Sequence, residues 1–487
     1  MTDIPKLTQF KTTADLRAHL ATLKIDLPLD DALLPAPQSP LAQPLTVAGK
    51  KLGNRWCIQP MEGWDGTAEG MPTDYTLRRW KNFGRSGAKW IWGGEAVAVR
   101  HDGRANPNQL MYTEANRSGL AAVLKELKSG HQELYGSTDD LLVGLQLTHS
   151  GRFARPNDKK KLEPRTAYAH PILDAKFHVD PKTALFSDAE LDDLIGYFVK
   201  AAKGVQELGF EFVDLKHCHG YLGHELLSGH TRPGPYGGSL ANRMRFLQRL
   251  IEGIHRDAPG LKIGVRMSAI DTVPHKPDPT RSVGKKLGPG IPEPFTTPYQ
   301  WGFGLKPGNP LEYDLSEPIE FCRTAAKWGV AMFNISVGSP YYVPHIQRPA
   351  FYPPSDGYLP PEDPLCGVAR QIAVTRQIRA ALDPAVPLVG TGYSYLQEFL
   401  PMVAQAAVRE GFVDAVGIGR LVLSYPEFPA DCLKGELRTK LICRTFSDCT
   451  TAPRNGLISG CYPLDPHYKQ LPIAKELKVI KARALEG

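Results

Sequence analysis

The chain has 487 residues, 42% hydrophobic and 22% charged, with a net charge of +7; this is the make-up of an ordinary soluble globular protein, long enough for one large domain with extensions or two to three average ones. No apolar run approaches the roughly 20 residues of a membrane span, and the polar start lacks a signal-peptide core. The one dense basic run, 158–165, reads as a solvated loop rather than a nucleic-acid footprint, so the expectation is a cytoplasmic protein with no membrane or nucleic-acid partner, whose positive excess helps attract anionic cofactors.

Residues 1–46 form an N-terminal extension. Eight short buried-strand runs follow, at 55–61, 89–94, 142–149, 212–218, 262–269, 331–338, 386–392 and 415–420, each succeeded by a helical pattern. The clearest helix spans 187–208, where Ser187 and Glu190 make a capping box and Leu191, Leu194, Ile195, Phe198, Ala202, Val205 and Leu208 form one apolar stripe. Eight strand–helix repeats predict an α/β chain folded as a (β/α)8 TIM barrel over 47–435, ahead of a doubly wound sheet. A Pro- and Gly-rich insertion, 271–314, leaves the catalytic face after the fifth strand and reads as an active-site lid. Residues 436–487 form a tail carrying Cys443, Cys449 and Cys461. Scattered placement of the eight cysteines points to reduced thiols rather than a disulfide framework.

In such barrels the chemistry sits at the C-terminal strand ends. The fourth strand runs directly into Lys216, His217, Cys218, His219 and Tyr221. Burying even a neutral polar group unpaired costs about 2–7 kcal/mol, so this cluster lines a polar cavity or touches a ligand. The seventh and eighth strands end in "GTGY" (390–393) and "GIGRL" (417–421), where barrels bind phosphate on bare backbone N–H groups; Arg420 adds a bidentate grip. No G-x-G-x-x-G follows a strand and no P-loop appears, which argues against a built-in dinucleotide domain.

With those strand ends collected, the chain resembles the Old Yellow Enzyme family of FMN-dependent oxidoreductases over about 47–435. "LGNRWCIQPMEG" is similar to the family's first strand and "GLQLTHSGR" to its glutamine strand. "GFEFVDLKHCHGYLGHELLS" with "YGGSLANRMRFL" matches its most specific segment, "IGVRMS" its flavin-facing arginine, and "VGIGR" its phosphate end. The resemblance implies that Gln59, Pro60, Met61 and Ala96 pack along the isoalloxazine ring and that Gln146 bonds its pyrimidine edge. It implies that Arg266 faces N1 and O2, and that Gly390, Gly392, Gly419 and Arg420 hold the phosphate. Tyr221 matches the proton donor, a phenol that keeps its proton at neutral pH; its other reading is a core tyrosine. His219 matches one of two side chains that bond a substrate oxygen, and Lys216 stands in the other's place.

Lys216 departs from the family pattern, as do Glu62 and Trp64. A carboxylate at position 62 makes flavin reduction harder unless it is paired or protonated, with Lys216 a conceivable partner; Trp64 puts an apolar wall where relatives have a tyrosine. His217 and Cys218 are expected to be structural. The implied reaction has NADH or NADPH reduce FMN, which passes hydride to an activated C=C bond of a small-molecule substrate while Tyr221 delivers the proton. Alternatives are the same site run oxidatively, as a dehydrogenase or demethylase, a flavoprotein that binds or regulates with little turnover, or an aldolase or lyase using Lys216 as a Schiff base. A homo-oligomer is left open.

Relatives like dienoyl-CoA reductase carry four cysteines after the barrel for an iron–sulfur cluster and further nucleotide-binding domains. This chain resembles that branch distantly and is expected to lack those domains. Only Cys443, Cys449 and Cys461 match, so the tail reads as a packed vestige with no metal, against a three-Cys cluster or a zinc site completed by His467 or Cys432.

Overall fold

A computed structural model describes residues 4–284, 287–354 and 357–485; Lys285 and Lys286 of the insertion lie outside them. Eight parallel strands carry the architecture: β1 Trp56–Ile58, β2 Trp90–Ile91, β3 Leu142–Thr148, β4 Phe212–Leu215, β5 Lys262–Ser268, β6 Val330–Ser336, β7 Leu388–Gly390 and β8 Ala415–Ile418. Each pairs in parallel with the next, and Val416 of β8 registers with Trp56 of β1, closing the cylinder. The expected (β/α)8 TIM barrel is therefore the fold. A ninth strand, Ala96–Ala98, adds to β3 at the rim.

The helices that follow the strands are Asp74–Arg85 (α1), Arg117–Tyr135 (α2), Asp188–Glu207 (α3), Arg245–Asp257 (α4), Ser316–Lys327 (α5), Pro364–Ala381 (α6), Leu400–Arg409 (α7) and Phe428–Lys434 (α8). In α3 the capping box forms: Ser187 Oγ accepts from the Glu190 backbone N–H at 3.2 Å, and the Ser187 N–H donates to Glu190 Oε2 at 2.8 Å. Its apolar stripe is buried against α4, where the Phe198 and Phe246 rings meet edge to face at 5.9 Å. Burial of each such side chain stabilises by about 1.5–3 kcal/mol. Among the described residues no helix is long and apolar enough to cross a membrane.

Strand alternation sends every second side chain down the barrel axis. Near the N-terminal ends these are Cys57, Trp90, Leu142, Phe212, Met332 and Val389, joined by Trp92 and by Val47 and Leu52 of a hairpin below. Trp92 packs against Trp90 at 5.2 Å and Phe212 at 5.6 Å. A Cβ on Gly144 would lie 2.3 Å from the Phe212 ring, so only glycine leaves that ring its place. Toward the C-terminal ends the axis turns polar: Asn334 Nδ2 donates to Gln59 Oε1 at 2.7 Å, and Gln146 Nε2 to Asp214 Oδ2 at 2.5 Å.

The insertion folds into two small antiparallel ribbons, His275–Pro277 with Gly290–Pro292 and Leu305–Lys306 with Asn309–Tyr313. Tyr299 and Trp301 dock it on His170. The C-terminal tail crosses back over the barrel mouth to α1, where Arg78 makes a two-pronged ion pair with Asp465 at 2.8 and 3.1 Å and Tyr75 stacks on Tyr468.

Candidate active site

The segment after β1 is held from below. Arg79 of α1 is buried between Asp65 and Glu95, and Glu95 accepts the Gly63 N–H at 2.7 Å. A Cβ on Gly63 would come within 2.2 Å of the Arg79 guanidinium, which is why the loop can lie flat on it. Burial pushes the Glu95 carboxyl up, against the pull of Arg79. The next residue, Trp64, sits at φ 49°, a left-handed conformation uncommon outside glycine and typical of functional loops. This fixed loop carries Glu62 over the barrel mouth.

From β4, Lys216 Nζ donates to Glu62 Oε1 at 2.5 Å. The Tyr221 hydroxyl donates to Glu62 Oε2 at 2.7 Å, and Trp64 Nε1 to the same oxygen at 2.9 Å. Lys216 Nζ also rests 3.8 Å from the Tyr221 ring centre, a cation–π contact. Tyr341, from the segment after β6, places its hydroxyl 3.0 Å from that of Tyr221 and stacks on Phe153 at 3.9 Å. Lys216 and Tyr221, the two ends of the ionisable run after β4, are thus paired around one carboxylate. Burial, followed by the Glu62 charge, raises Tyr221 well above the ordinary phenol value; the same two causes push Tyr341 up to about 12.

His219 adopts φ 66°, with Nε2 3.2 Å from both Ser336 Oγ and Gln347 Nε2. Burial, with Arg266 and Lys216 nearby, holds its imidazole well below the usual value and therefore neutral. His217 turns Nδ1 to the Leu215 carbonyl at 2.9 Å, and neither it nor Cys218 lines the cavity.

Deeper, Asp214 organises two neighbours: it accepts from Gln146 and, at 2.7 Å, from the Arg266 backbone N–H. A carboxylate only accepts, so the Gln146 amide nitrogen faces Asp214 and its carbonyl oxygen is left for the cavity. Burial raises the Asp214 carboxyl to about 6. Gln59 Nε2, Arg266 Nε and Asn334 Oδ1 are buried polar atoms with no partner in the protein. Such orphans are rare in folded chains and call for a ligand or water.

At the β7 and β8 ends, Gly392 takes φ 95° and Arg420 Nη1 donates to Thr450 Oγ1 at 2.8 Å. Burial and the guanidinium of Arg348 push Arg420 down to about 9, the mark of a cationic niche suited to an anion.

One cavity of ≈ 240 Å³ joins these groups. Gln59, Pro60, Met61, Glu62, Trp64, Gln146, Lys216, His219, Tyr221, Arg266, Gly392, Gly419 and Arg420 line it; Ala96 and Gly390 do not. Ala96 is buried in the rim strand, its carbonyl taken by Gln109, and Gly390 is backed by Val413 and Tyr393. Sequence reasoning missed Tyr341, Gln347 and Arg348 after β6, and Cys443, Thr450 and Arg454 of the tail, which complete the wall. None of the described residues of 271–314 lines the cavity.

The eight cysteines are all free thiols. Cys443 and Cys449 reach the cavity lining and Cys461 is buried behind; burial raises both Cys443 and Cys461, while Arg348 and Arg420 pull Cys443 back. Among the described residues no three His, Cys, Asp or Glu side chains are grouped to hold a metal ion. Cys432 is buried in α8, and His467 packs on Tyr75 and Tyr468.

Residues 40–284, half of the chain, match the NADH:flavin oxidoreductase / NADH oxidase family. An NADPH dehydrogenase of Clostridium acetobutylicum is 30% identical over 231 residues, 46% of this chain and 63% of that protein. The chain spans less than two thirds of the length of the curated relatives it matches, 63% and 56% for the first two. Among solved structures, a 2-naphthoyl-CoA reductase superposes with TM-score 0.63 at 17% identity over 90% of this chain and 58% of its own. An Old Yellow Enzyme homologue from Zymomonas mobilis gives TM-score 0.53 at 18% identity, covering 80% of this chain and 91% of that one; both likenesses speak to the fold. The chain belongs to the NADH:flavin oxidoreductase / NADH oxidase family, the Old Yellow Enzyme family that its strand-end motifs resemble.

Proposed function

We propose that this chain is an FMN-dependent oxidoreductase which takes electrons from NADH or NADPH and delivers them to a small molecule bearing an activated C=C bond. The observation that carries the proposal is the convergence of Gln59, Gln146 and Arg266, from three different strands, on one cavity, with Gln59 Nε2 and Arg266 Nε buried and unpartnered. Those residues fit a flavin: Gln146 offers an acceptor, Gln59 a donor and Arg266 a fixed cation beside the edge where negative charge collects. Gly392, Gly419 and Arg420 fit its phosphate. FMN, when bound, supplies reversible hydride exchange.

The remaining roles belong to this chain. Lys216 spends one of its three N–H donors on Glu62 and keeps others for a substrate oxygen, which it would hold together with His219. Tyr221, protonated and at the rim, is the proton donor to the substrate carbon. An ammonium fixed against a carboxylate and a ring face does not present an amine lone pair to the cavity, which counts against the Schiff-base alternative.

Extraction of the cofactor, anaerobic bleaching with NADH and NADPH, and reoxidation by a panel of enones, nitroalkenes and acyl-thioesters test the proposal. A colourless protein that takes up no FMN sinks it. The oxidative direction has one observation of its own: the Tyr221 hydroxyl already points at a carboxylate able to accept its proton. Anaerobic bleaching by amines or saturated ketones, without NAD(P)H, would reveal that direction.

A further inference from the structure

We propose that Glu62 is the proton-exchange partner of Tyr221: it returns a proton to the phenolate after each delivery to substrate, and takes one when the reaction runs in reverse. The inference rests on the function proposed above and adds a residue that the family resemblance marks only as a departure.

The geometry is direct. Tyr221 Oη and Glu62 Oε2 stand 2.7 Å apart, within proton-transfer reach. Glu62 is held for the task from three sides: Lys216 on one oxygen, Trp64 on the other, and the Gly63 N–H fixed to Glu95 behind it. Lys216 leaves no net charge on the pair and lies over the Tyr221 ring. The side chain of Glu62 is 13% exposed, against 5% for Lys216, so of the two it is the one that meets water at the cavity mouth.

The steps balance. Tyr221 breaks its O–H bond as a C–H bond forms on the substrate, leaving a phenolate beside a carboxylate. That like-charge contact is unfavourable and draws a proton from water at the mouth onto Glu62 Oε2, the water's O–H bond breaking and its hydroxide passing to bulk solvent. The new Glu62 O–H bond then breaks as the Tyr221 O–H bond re-forms. One hydride from NAD(P)H and one proton from water are consumed per bond reduced. The charged and titratable groups facing the pair are Lys216 from β4 and Tyr341 from the segment after β6, with Arg155 and Arg454 acting on Tyr341 from farther out. Tyr341, 3.0 Å from Tyr221, offers the rival route.

Holoenzyme variants separate these. Glu62→Gln keeps an acceptor for Tyr221 but cannot carry a proton. Pre-reduced Glu62→Gln mixed with one equivalent of enone should complete a first turnover at close to the wild-type rate, because Tyr221 starts protonated. Its steady-state rate should then fall roughly 10²-fold, more at high pH than at low, and Glu62→Asp should recover part of the loss. Equal slowing of both phases, or a steady-state loss in Tyr341→Phe with none in Glu62→Gln, overturns the proposal. A second measurement does not depend on turnover. The ultraviolet difference titration of Tyr221, taken against Tyr221→Phe, should move to lower pH in Glu62→Gln, since the neighbouring anion is gone. An unmoved titration overturns the coupling. A wild-type protein without FMN would remove the proposed function, while this titration would still decide whether Glu62 and Tyr221 titrate as a coupled pair.

Discussion

Tyr221 and Glu62 are 159 residues apart in the chain and 2.7 Å apart in the fold. One comes from the fourth strand end and the other from the first, and only closure of the barrel brings them together. Removing the hydroxyl separates the two halves of the reaction. Tyr221→Phe should leave bleaching of the flavin by NAD(P)H intact and slow reoxidation by an enone by roughly 10²–10⁴-fold. Stopped-flow absorbance of each half-reaction checks this, and unchanged reoxidation would remove Tyr221 from its role.

Arg266 has its Nε buried without a partner, and its cation lies at the cavity wall. Arg266→Met should weaken FMN binding roughly 10–100-fold, the equivalent of one charged hydrogen bond of about 1.5–3 kcal/mol. Fluorescence titration of flavin into the stripped protein measures it. Wild-type affinity in the variant would mean that the guanidinium does not touch the cofactor.

Gly417 is a steric prediction. A Cβ there would fall 1.8 Å from Gln59 Nε2 and 3.0 Å from the Gly390 carbonyl. The Gln59 amide can swing aside only by giving up Asn334, which holds its oxygen at 2.7 Å. Gly417→Ala should therefore cost about 1–3 kcal/mol of stability and weaken FMN binding, read from thermal unfolding and flavin titration on the same preparation.

Asp214 gives a pH dependence with a definite sign. Burial raises its carboxyl from 3.8 to about 6, so the folded state holds a proton more tightly than the unfolded one. Its contribution to stability is complete below about pH 4 and is lost as pH rises through 6, on the order of 2–3 kcal/mol. Asp214→Asn, which cannot ionise, should flatten that part of the stability curve. Thermal unfolding of both proteins at pH 4, 5, 6 and 7 tests it; parallel curves would assign the slope to other groups.

The strands and their order were legible because each buried run is short, β-rich and punctuated by a helical stripe, and because the closing pair, β8 with β1, follows from the count alone. Most of the site was legible for the same reason: Gln59, Gln146, Lys216 and Arg266 sit at or near strand ends, where position along the chain fixes direction. Tyr341, Gln347 and Arg348 were not, since they lie beyond β6 in a segment whose path no periodicity dictates. The tail's place in the wall was hidden too. Its docking depends on Arg78 meeting Asp465, a contact across 387 positions, and on Tyr75 meeting Tyr468. The Glu62 and Lys216 pairing could be guessed from charge, whereas the hydrogen bond from Tyr221 to the same carboxylate needed the fold.

The plug of Trp90, Trp92 and Phe212 makes the barrel a blind-ended vessel. Anything that enters from the rim must leave by the rim; in the proposed reaction the electron donor and the electron acceptor would therefore queue at one doorway rather than pass through from opposite sides. On that proposal, alternation between the two, with each competing against the other when present in excess, would follow from the masonry of three aromatic rings at the far end.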